Sequence, residues 1–324
     1  MTHEHNDGRI GVVVMAYGTP ASPDDIEAYY THIRRGRPPT PEQLANLKMR
    51  YDALGGTSTL AARTADQVDA IASSLDTHHP GRFVVALGQK HAAPFIEDGV
   101  AALAALGVVG VVGVVLAPHY SGFSVGEYQG RVAEAAADAG IRSAAIDRWH
   151  DLPAYRHFLE KAVDQAEFEL PQRTEVIFTA HSLPERVLAD DPYPLELVES
   201  AAATADAAGI RPRRPADGPD TGNGLRWSLA WQSAGATPEP WRGPDILEVI
   251  RDRAATREVD GILVCPQGFV ADHLEVAYDL DIEAQRVADE AGIAFARTRV
   301  LNDDAHVLHA LAERVASVAT KAFG

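Results

Sequence analysis

Val114-Val-Leu-Ala-Pro118-His-Tyr-Ser-Gly-Phe-Ser-Val-Gly-Glu-Tyr128 has a counterpart in the second half of the chain, Ile262-Leu-Val-Cys-Pro266-Gln-Gly-Phe-Val-Ala-Asp-His-Leu-Glu275. Each reads as an apolar strand ending at a proline, a short polar loop and the start of a helix. Outward from both, apolar runs alternate with amphipathic helical stretches, the pattern of a parallel α/β fold. Strands are expected near residues 10–16, 83–88, 111–117 and 142–147, and again near 175–180, 225–231, 259–265 and 295–300. We expect an α/β fold of two similar doubly wound domains, each with a mostly parallel four-stranded sheet flanked by helices. Ligands in such folds bind beyond the carboxyl ends of the strands, so the active-site cleft is expected between the domains. The division is expected near Pro171-Gln-Arg-Thr174, after a helix over Ala154–Phe168, giving domains 1–171 and 172–324. The last helix, 304–323, could pack back on the first domain. Residues 211–224, RPRRPADGPDTGNG, are rich in Pro, Gly and charge and should form an exposed loop.

The 324 residues suffice for two ordinary domains with a large core. An apolar content of 46% with 23% charged residues is that of a globular protein. The longest apolar stretch, Leu103 to Ala117, is too short to cross a bilayer, and MTHEHNDGR contains no apolar signal region, so the expected compartment is the cytoplasm. A net charge of −17 with no long basic stripe argues against nucleic-acid binding. The one cysteine, Cys265, rules out a disulfide within the chain and an all-cysteine iron–sulfur cluster, and its apolar run suggests a small buried hydrophobe.

The chemistry concentrates in a few places. If the segment after Cys265 is a helix, Glu275, Asp279 and Glu283 fall at i, i+4 and i+8 and form one acidic stripe, drifting about 40° per step. Asp272 and Glu275 alone would also satisfy a capping box, but that leaves Asp279 and Glu283 unexplained. His273, two residues before Glu275, would not share a helix face with it. His181 stands where Val176-Ile-Phe-Thr-Ala180 gives way to a loop, and neutral imidazole is both a metal ligand and a proton acceptor near pH 7. Together they suggest a site that takes up a divalent metal and moves protons. Tyr17, at the first strand exit, is either a core residue or a ligand facing the site. Arg34, Arg35 and Arg37 form either a solvated turn or a set of guanidinium forks for ligand carboxylates. Neither GxGxxG nor a Walker lysine follows the first strand, and GxSxG and HExxH are missing, which weakens nucleotide-binding and hydrolase readings.

Seven motifs, in order, carry a resemblance that runs nearly the full chain. They are Val14-Met-Ala-Tyr17-Gly-Thr-Pro20, Tyr29-Tyr-Thr-His-Ile-Arg34-Arg35-Gly-Arg37, Leu54-Gly-Gly-Thr-Ser58-Thr-Leu, Pro118-His-Tyr-Ser121, Ala180-His181-Ser-Leu-Pro184, Trp231-Gln-Ser233-Ala-Gly235 and Cys265-Pro-Gln-Gly-Phe-Val-Ala-Asp-His-Leu-Glu275. The chain resembles the ferrochelatase family. Its YYTHIRRGR stretch is similar to that of the soluble, cluster-free Firmicute-type enzymes that act on coproporphyrin III.

The resemblance implies insertion of Fe²⁺, as substrate, into a free-base porphyrin. Metallation removes two pyrrole N–H protons while the iron sheds water, so a base and a metal ligand must act beside the macrocycle. By resemblance His181 and Glu275 are the central pair, with His181 as proton acceptor or iron ligand, and Asp279 and Glu283 extend the site outward. Tyr17 matches a tyrosine on the opposite porphyrin face. Arg34, Ser58, Tyr128 and Ser233 match positions that hold propionates or line the ring pocket, Arg50 matches an outer metal site, and Lys90-His91 matches a loop at the cleft mouth. Many family members carry a [2Fe–2S] cluster or an apolar membrane lip; this chain is expected to have neither, and to hold no permanent cofactor. A monomer without membrane insertion, giving coproheme in heme biosynthesis and handing it to a transient partner, is the leading expectation. Protoporphyrin IX as substrate is the alternative, followed by a cobalt or nickel chelatase and a two-domain solute-binding protein.

Overall fold

Strands such as Ile10-Gly-Val-Val-Val-Met-Ala16 have no polar face to offer water, so they are stable only in a sheet covered on both sides. The computed structural model describes residues 8–167, 170–212, 225–235 and 237–324. The chain divides into two compact units, Met1–Trp149 with Asn302–Gly324, and His150–Leu301.

In the first unit β1 (Ile10–Ala16), β2 (Phe83–Gln89), β3 (Gly110–Val115) and β4 (Arg142–Ile146) pair in parallel in the order β2-β1-β3-β4. Its helices are α1 (Ile26–Ile33), α2 (Pro41–Ala53), α3 (Leu60–His78), α4 (Ile96–Ala105) and α5 (Val125–Asp138). The second unit carries α6 (Pro153–Glu167), α7 (Glu185–Leu188), α8 (Tyr193–Ala207), α9 (Ile246–Thr256), α10 (Leu274–Ala277) and α11 (Gln285–Ala291). Its strands β5 (Thr174–His181), β6 (Arg211–Pro212), β7 (Arg226–Gln232), β8 (Gly261–Cys265) and β9 (Ala294–Arg297) pair in parallel as β6-β7-β5-β8-β9. The final helix, α12 (Ala305–Phe323), returns to the first unit and packs on α3, β3 and β4.

The α/β fold has the expected two parallel sheets flanked by helices, with two corrections. The second sheet has five strands, because Arg211–Pro212, expected as loop, adds a short edge strand to β7; the rest of that expected loop, 213–224, lies outside the described residues. The units divide after Trp149 rather than near residue 171. The reason is α6, which packs on α8 and β8, and whose buried Tyr155 donates its hydroxyl hydrogen bond to the Gln267 carbonyl.

The two sheets share one topology. If β5 is taken as the counterpart of β1, then β7, β8 and β9 correspond to β2, β3 and β4. The repeated sequence stretches thus leave equivalent third strands. In both units the order reverses beside the first strand, between β1 and β3 and between β5 and β8. Ligands bind at such switch points beyond the carboxyl ends.

Strand β5 also buries a charge. Glu175 is fully buried, accepts from Arg253 Nε at 2.7 Å and from Ser228 Oγ at 2.5 Å, and so tolerates its apolar surroundings. Removing the arginine would leave a buried carboxylate short of its counter-charge. We expect Arg253→Ala to destabilise the second unit by about 3–5 kcal/mol, read as a lowered urea midpoint, and Glu175→Gln in the same protein to recover part of the loss.

Candidate active site

His181 is the last residue of β5, where the backbone leaves the sheet at the second unit's switch point. Its neighbour β8 is followed by Pro266-Gln-Gly-Phe, which turns back across the end of β5. Gly268 makes that turn possible. A Cβ there would lie 2.6 Å from the Ala180 Cβ and 2.8 Å from its Cα, closer than packed atoms approach. The loop is pinned by Gly268 N–H donating to the Thr179 carbonyl and by Gln267 Nε2 donating to the Leu197 carbonyl at 3.0 Å. It delivers His273 and Glu275 to His181.

His181 Nε2 lies 3.5 Å from Glu275 Oε1, and His273 Nε2 lies 3.5 Å from Glu275 Oε2. His181 Nδ1–H donates to the Ser182 carbonyl at 2.5 Å, which leaves Nε2 as the atom facing the carboxylate. The His181 and Glu275 side chains are each 34% exposed, so solvent reaches the pair. Burial disfavours the imidazolium, but the Glu275 charge and hydrogen bond, the Ser182 carbonyl and Asp279 together outweigh it and push His181 up to about 9. Burial likewise works against ionised Glu275, yet His181 and then His273 hold its carboxyl well below the usual range. At neutral pH the pair therefore holds one proton as imidazolium and carboxylate. That interaction stabilises the fold fully below the unfolded histidine's 6.5 and is lost as pH rises through about 9.

The participation of His273 departs from the helical reading of the sequence. His273 is not helical: it is the N-cap of α10, with φ −145° and ψ −177°, and this extended geometry swings its ring onto Glu275. The expected cap, Asp272, instead pairs with Arg297 at 3.0 Å.

The acidic ladder is also not a straight α-helix. Between α10 and α11 the backbone forms a π-helical turn over Asp279–Ala284, with Glu283 N–H donating to the Tyr278 carbonyl. Five-residue spacing of this kind is uncommon and recurs at functional sites. Asp279 is buried and accepts from Ser233 Oγ at 2.5 Å. Ser233 has φ +60°, a left-handed conformation rare outside glycine, and the preceding Gln232 donates to the Glu275 carbonyl at 3.0 Å. The exit of β7 thus holds the helix that carries the ladder. Glu283 is half-buried and adds to a like-charged neighbourhood: burial first, then Glu248 and Glu283, raises Asp245 above its ordinary value.

The first unit presents the other expected residues. Tyr17 follows β1 as His181 ends β5; it is 43% exposed, with its ring 4.6 Å from the His91 ring. His91 Nδ1 is 2.9 Å from His32 Nδ1, and burial, then Lys90, His32 and Arg131, push His91 down to about 3, so this imidazole stays neutral. Lys90 pairs with Glu127 at 2.8 Å and lies over the Tyr128 ring. Tyr128, expected in the porphyrin pocket, is a core residue at 4% exposure. Arg34 Nε donates to the Arg37 carbonyl and Arg37 Nε to the Arg34 carbonyl, closing a turn in which Arg35 has φ +57°. Ser58 Oγ accepts from Leu60 N–H at the start of α3, and Arg50 stands in the last turn of α2. The structure brings His181, Ser233, Glu275 and Asp279 into one network, and Tyr17 to His91; Arg34, Ser58 and Arg50 sit on separate loops and helices of the first unit.

Removing the carboxylate should release the histidine. In Glu275→Gln we expect the His181 pKa to fall from about 9 by at least one unit, followed by imidazole NMR shifts; an unchanged value would assign the stabilisation of its proton to other neighbours.

A sequence profile of the ferrochelatase family matches residues 9–319. Coproporphyrin III ferrochelatase of Halalkalibacterium halodurans is 43% identical over 312 residues, covering 94% of this chain and 95% of the relative. That of Geobacillus kaustophilus is 41% identical, covering 94% of each. Among solved structures, the sirohydrochlorin chelatase SirB of Bacillus subtilis subspecies spizizenii with cobalt matches at a TM-score of 0.52 and 13% identity, covering 97% of this chain and 96% of that one. CbiX, the terminal enzyme of siroheme biosynthesis in denitrifying bacteria, matches at 0.51 and 12%, covering 95% and 98%. At those identities the structural matches speak to the fold, while the near-complete profile match and the relatives above 40% identity show that this chain belongs to the ferrochelatase family.

Proposed function

We propose that this chain is a coproporphyrin III ferrochelatase, which inserts Fe²⁺ into the macrocycle and releases coproheme and two protons. The observation that carries the chemistry is the His181–Glu275 pair at the switch point, with Asp279 and Glu283 on the helix beyond it. Support for the porphyrin comes from the relatives, which carry that name over almost their whole length.

In this reading the carboxylates of Glu283 and Asp279 attract hydrated Fe²⁺ and pass it toward Glu275. Its two positive charges oppose the imidazolium proton of His181, which leaves. Nε2 is then available to take a pyrrole proton or to ligate the metal, while Glu275 stays ionised beside it. Tyr17, with the neutral His91 next to it, serves as a porphyrin contact. Arg34 and Arg35 meet propionates: their turn engages Nε of Arg34 and leaves the terminal guanidinium nitrogens to the ligand. Ser58 and Ser233 border the ring, Tyr128 supports its pocket from the core of the first unit, and Arg50 serves an outer metal position. No helix among the described residues is long and apolar enough to cross a membrane; a cytoplasmic monomer completes the proposed reading. The single cysteine fits an enzyme without an iron–sulfur cluster, and coproheme would pass to a transient partner.

His181→Ala should lower anaerobic Fe²⁺ insertion by about 10²–10⁴-fold with the fold intact. Near-normal turnover in the folded variant would remove His181 from the centre. For substrate choice, Arg34→Gln with Arg35→Gln should weaken coproporphyrin III more than protoporphyrin IX, by roughly fivefold or less per arginine, with the difference shrinking as salt rises. Equal losses at every salt concentration would mean that these arginines do not read the additional carboxylates.

A further inference from the structure

The first unit carries a second set of metal-binding side chains. His78, the last residue of α3, lies beside His309 and Glu313 of α12, and one ligand atom from each lies within 4.8 Å of the others. His309 and Glu313 are four residues apart and project from one face of their helix. The imidazoles are side by side, with centroids 4.5 Å apart and planes at 38°.

Both rings are oriented through the same residue. His78 Nδ1–H donates to the Ser74 carbonyl at 2.9 Å, so the lone pair of the neutral ring is on Nε2. His309 Nδ1 lies 2.8 Å from Ser74 Oγ, a hydroxyl able to accept from it. Tying Nδ1 to an acceptor and leaving Nε2 to the metal is how ligating histidines are held. Glu313 is anchored as well: His79 Nε2 lies 3.3 Å from its Oε1. His78 and Glu313 are exposed and His309 is half-buried, so an ion can enter from solvent and keep water in its remaining positions.

We propose that His78, His309 and Glu313 bind a divalent transition metal of the zinc, cobalt or nickel type and clip the last helix onto α3. Two imidazoles and one carboxylate suit such borderline ions and not Mg²⁺ or Ca²⁺, which need mostly oxygen. Bonds of about 2.0–2.2 Å require the ligand atoms to close in from their present spacing, a rotation within reach of side chains at a helix end and on a solvent-facing helix. The clip joins positions more than two hundred residues apart, as the Ser74–His309 contact does at a separation of 235. An ion that binds the folded form alone stabilises it.

The test uses the full chain, stripped of metal, with His181→Ala and Glu275→Gln in every sample so that the metal-insertion centre loses its central pair of ligands. Zn²⁺ binding is measured by competition with a chromophoric chelator and the thermal midpoint by scanning. One Zn²⁺ per chain and a midpoint raised by several degrees are expected. Adding His78→Ala and His309→Ala should abolish both effects without shifting the metal-free midpoint by more than about a degree or two. Ser74→Ala, which keeps all three donors, should weaken binding about tenfold or more. Full Zn²⁺ stoichiometry and an undiminished rise in the variant lacking both histidines, or no Zn²⁺ bound without them being changed, would overturn the proposal. So would full affinity in Ser74→Ala combined with full affinity in Glu313→Gln. If the variant lacking both histidines proves less stable without metal, His309→Gln alone, which keeps the side-chain bulk, gives the same reading.

Discussion

A parallel strand covered on both faces has no place for reactive groups along its length, so its chemistry must gather where the strand ends. β1, β3 and β8 are buried throughout, and β5 is buried up to its last residue. Glu175 shows what an interior exception requires: a guanidinium and a hydroxyl dedicated to it. His181 avoids that cost by standing at the exit. There the reversal of strand order next to β5 opens room for the loop after β8 to lay Glu275 against it.

The equivalent exits of the two sheets have opposite electrostatics. Beside β1, His91 is pushed down to about 3 because burial is reinforced by Lys90 and Arg131. Beside β5, His181 is raised to about 9 because burial is outweighed by Glu275 and Asp279. One topology thus presents a neutral imidazole with a tyrosine in one unit and a protonated imidazole with carboxylates in the other. The second arrangement is the one that suits attracting a dication and accepting protons, as the proposed function requires. The π-helical turn belongs to the same economy of geometry: it keeps Asp279 within reach of Ser233, whose own left-handed backbone is a strain the site retains.

Much of the architecture was legible without coordinates. Alternating apolar runs located the four strands of the first sheet and the four longer strands of the second to within a few residues, because doubly covered strands must be continuously apolar. The repeat of strand, proline and loop marked the two third strands, and the residues after β1 and β5 were recognisable as strand exits. Arg211–Pro212 was not, since a two-residue edge strand depends on its partner's backbone and leaves no pattern of its own. The unit boundary also escaped, because α6 is amphipathic whichever sheet it serves; Tyr155 reaching Gln267, more than a hundred residues away, decides the side.

At the site, residue types and order marked His181 and the acidic ladder as candidates, because a histidine and spaced carboxylates follow the ends of buried strands. Which atoms meet was decided only in three dimensions. A helical wheel separates His273 from Glu275, whereas an extended N-cap joins them; regular spacing draws a straight stripe, whereas a π turn bends it. The physical reason is the same in each case. Local sequence sets propensities over a few residues, while caps, wide turns and burial are settled by contacts between elements far apart in the chain.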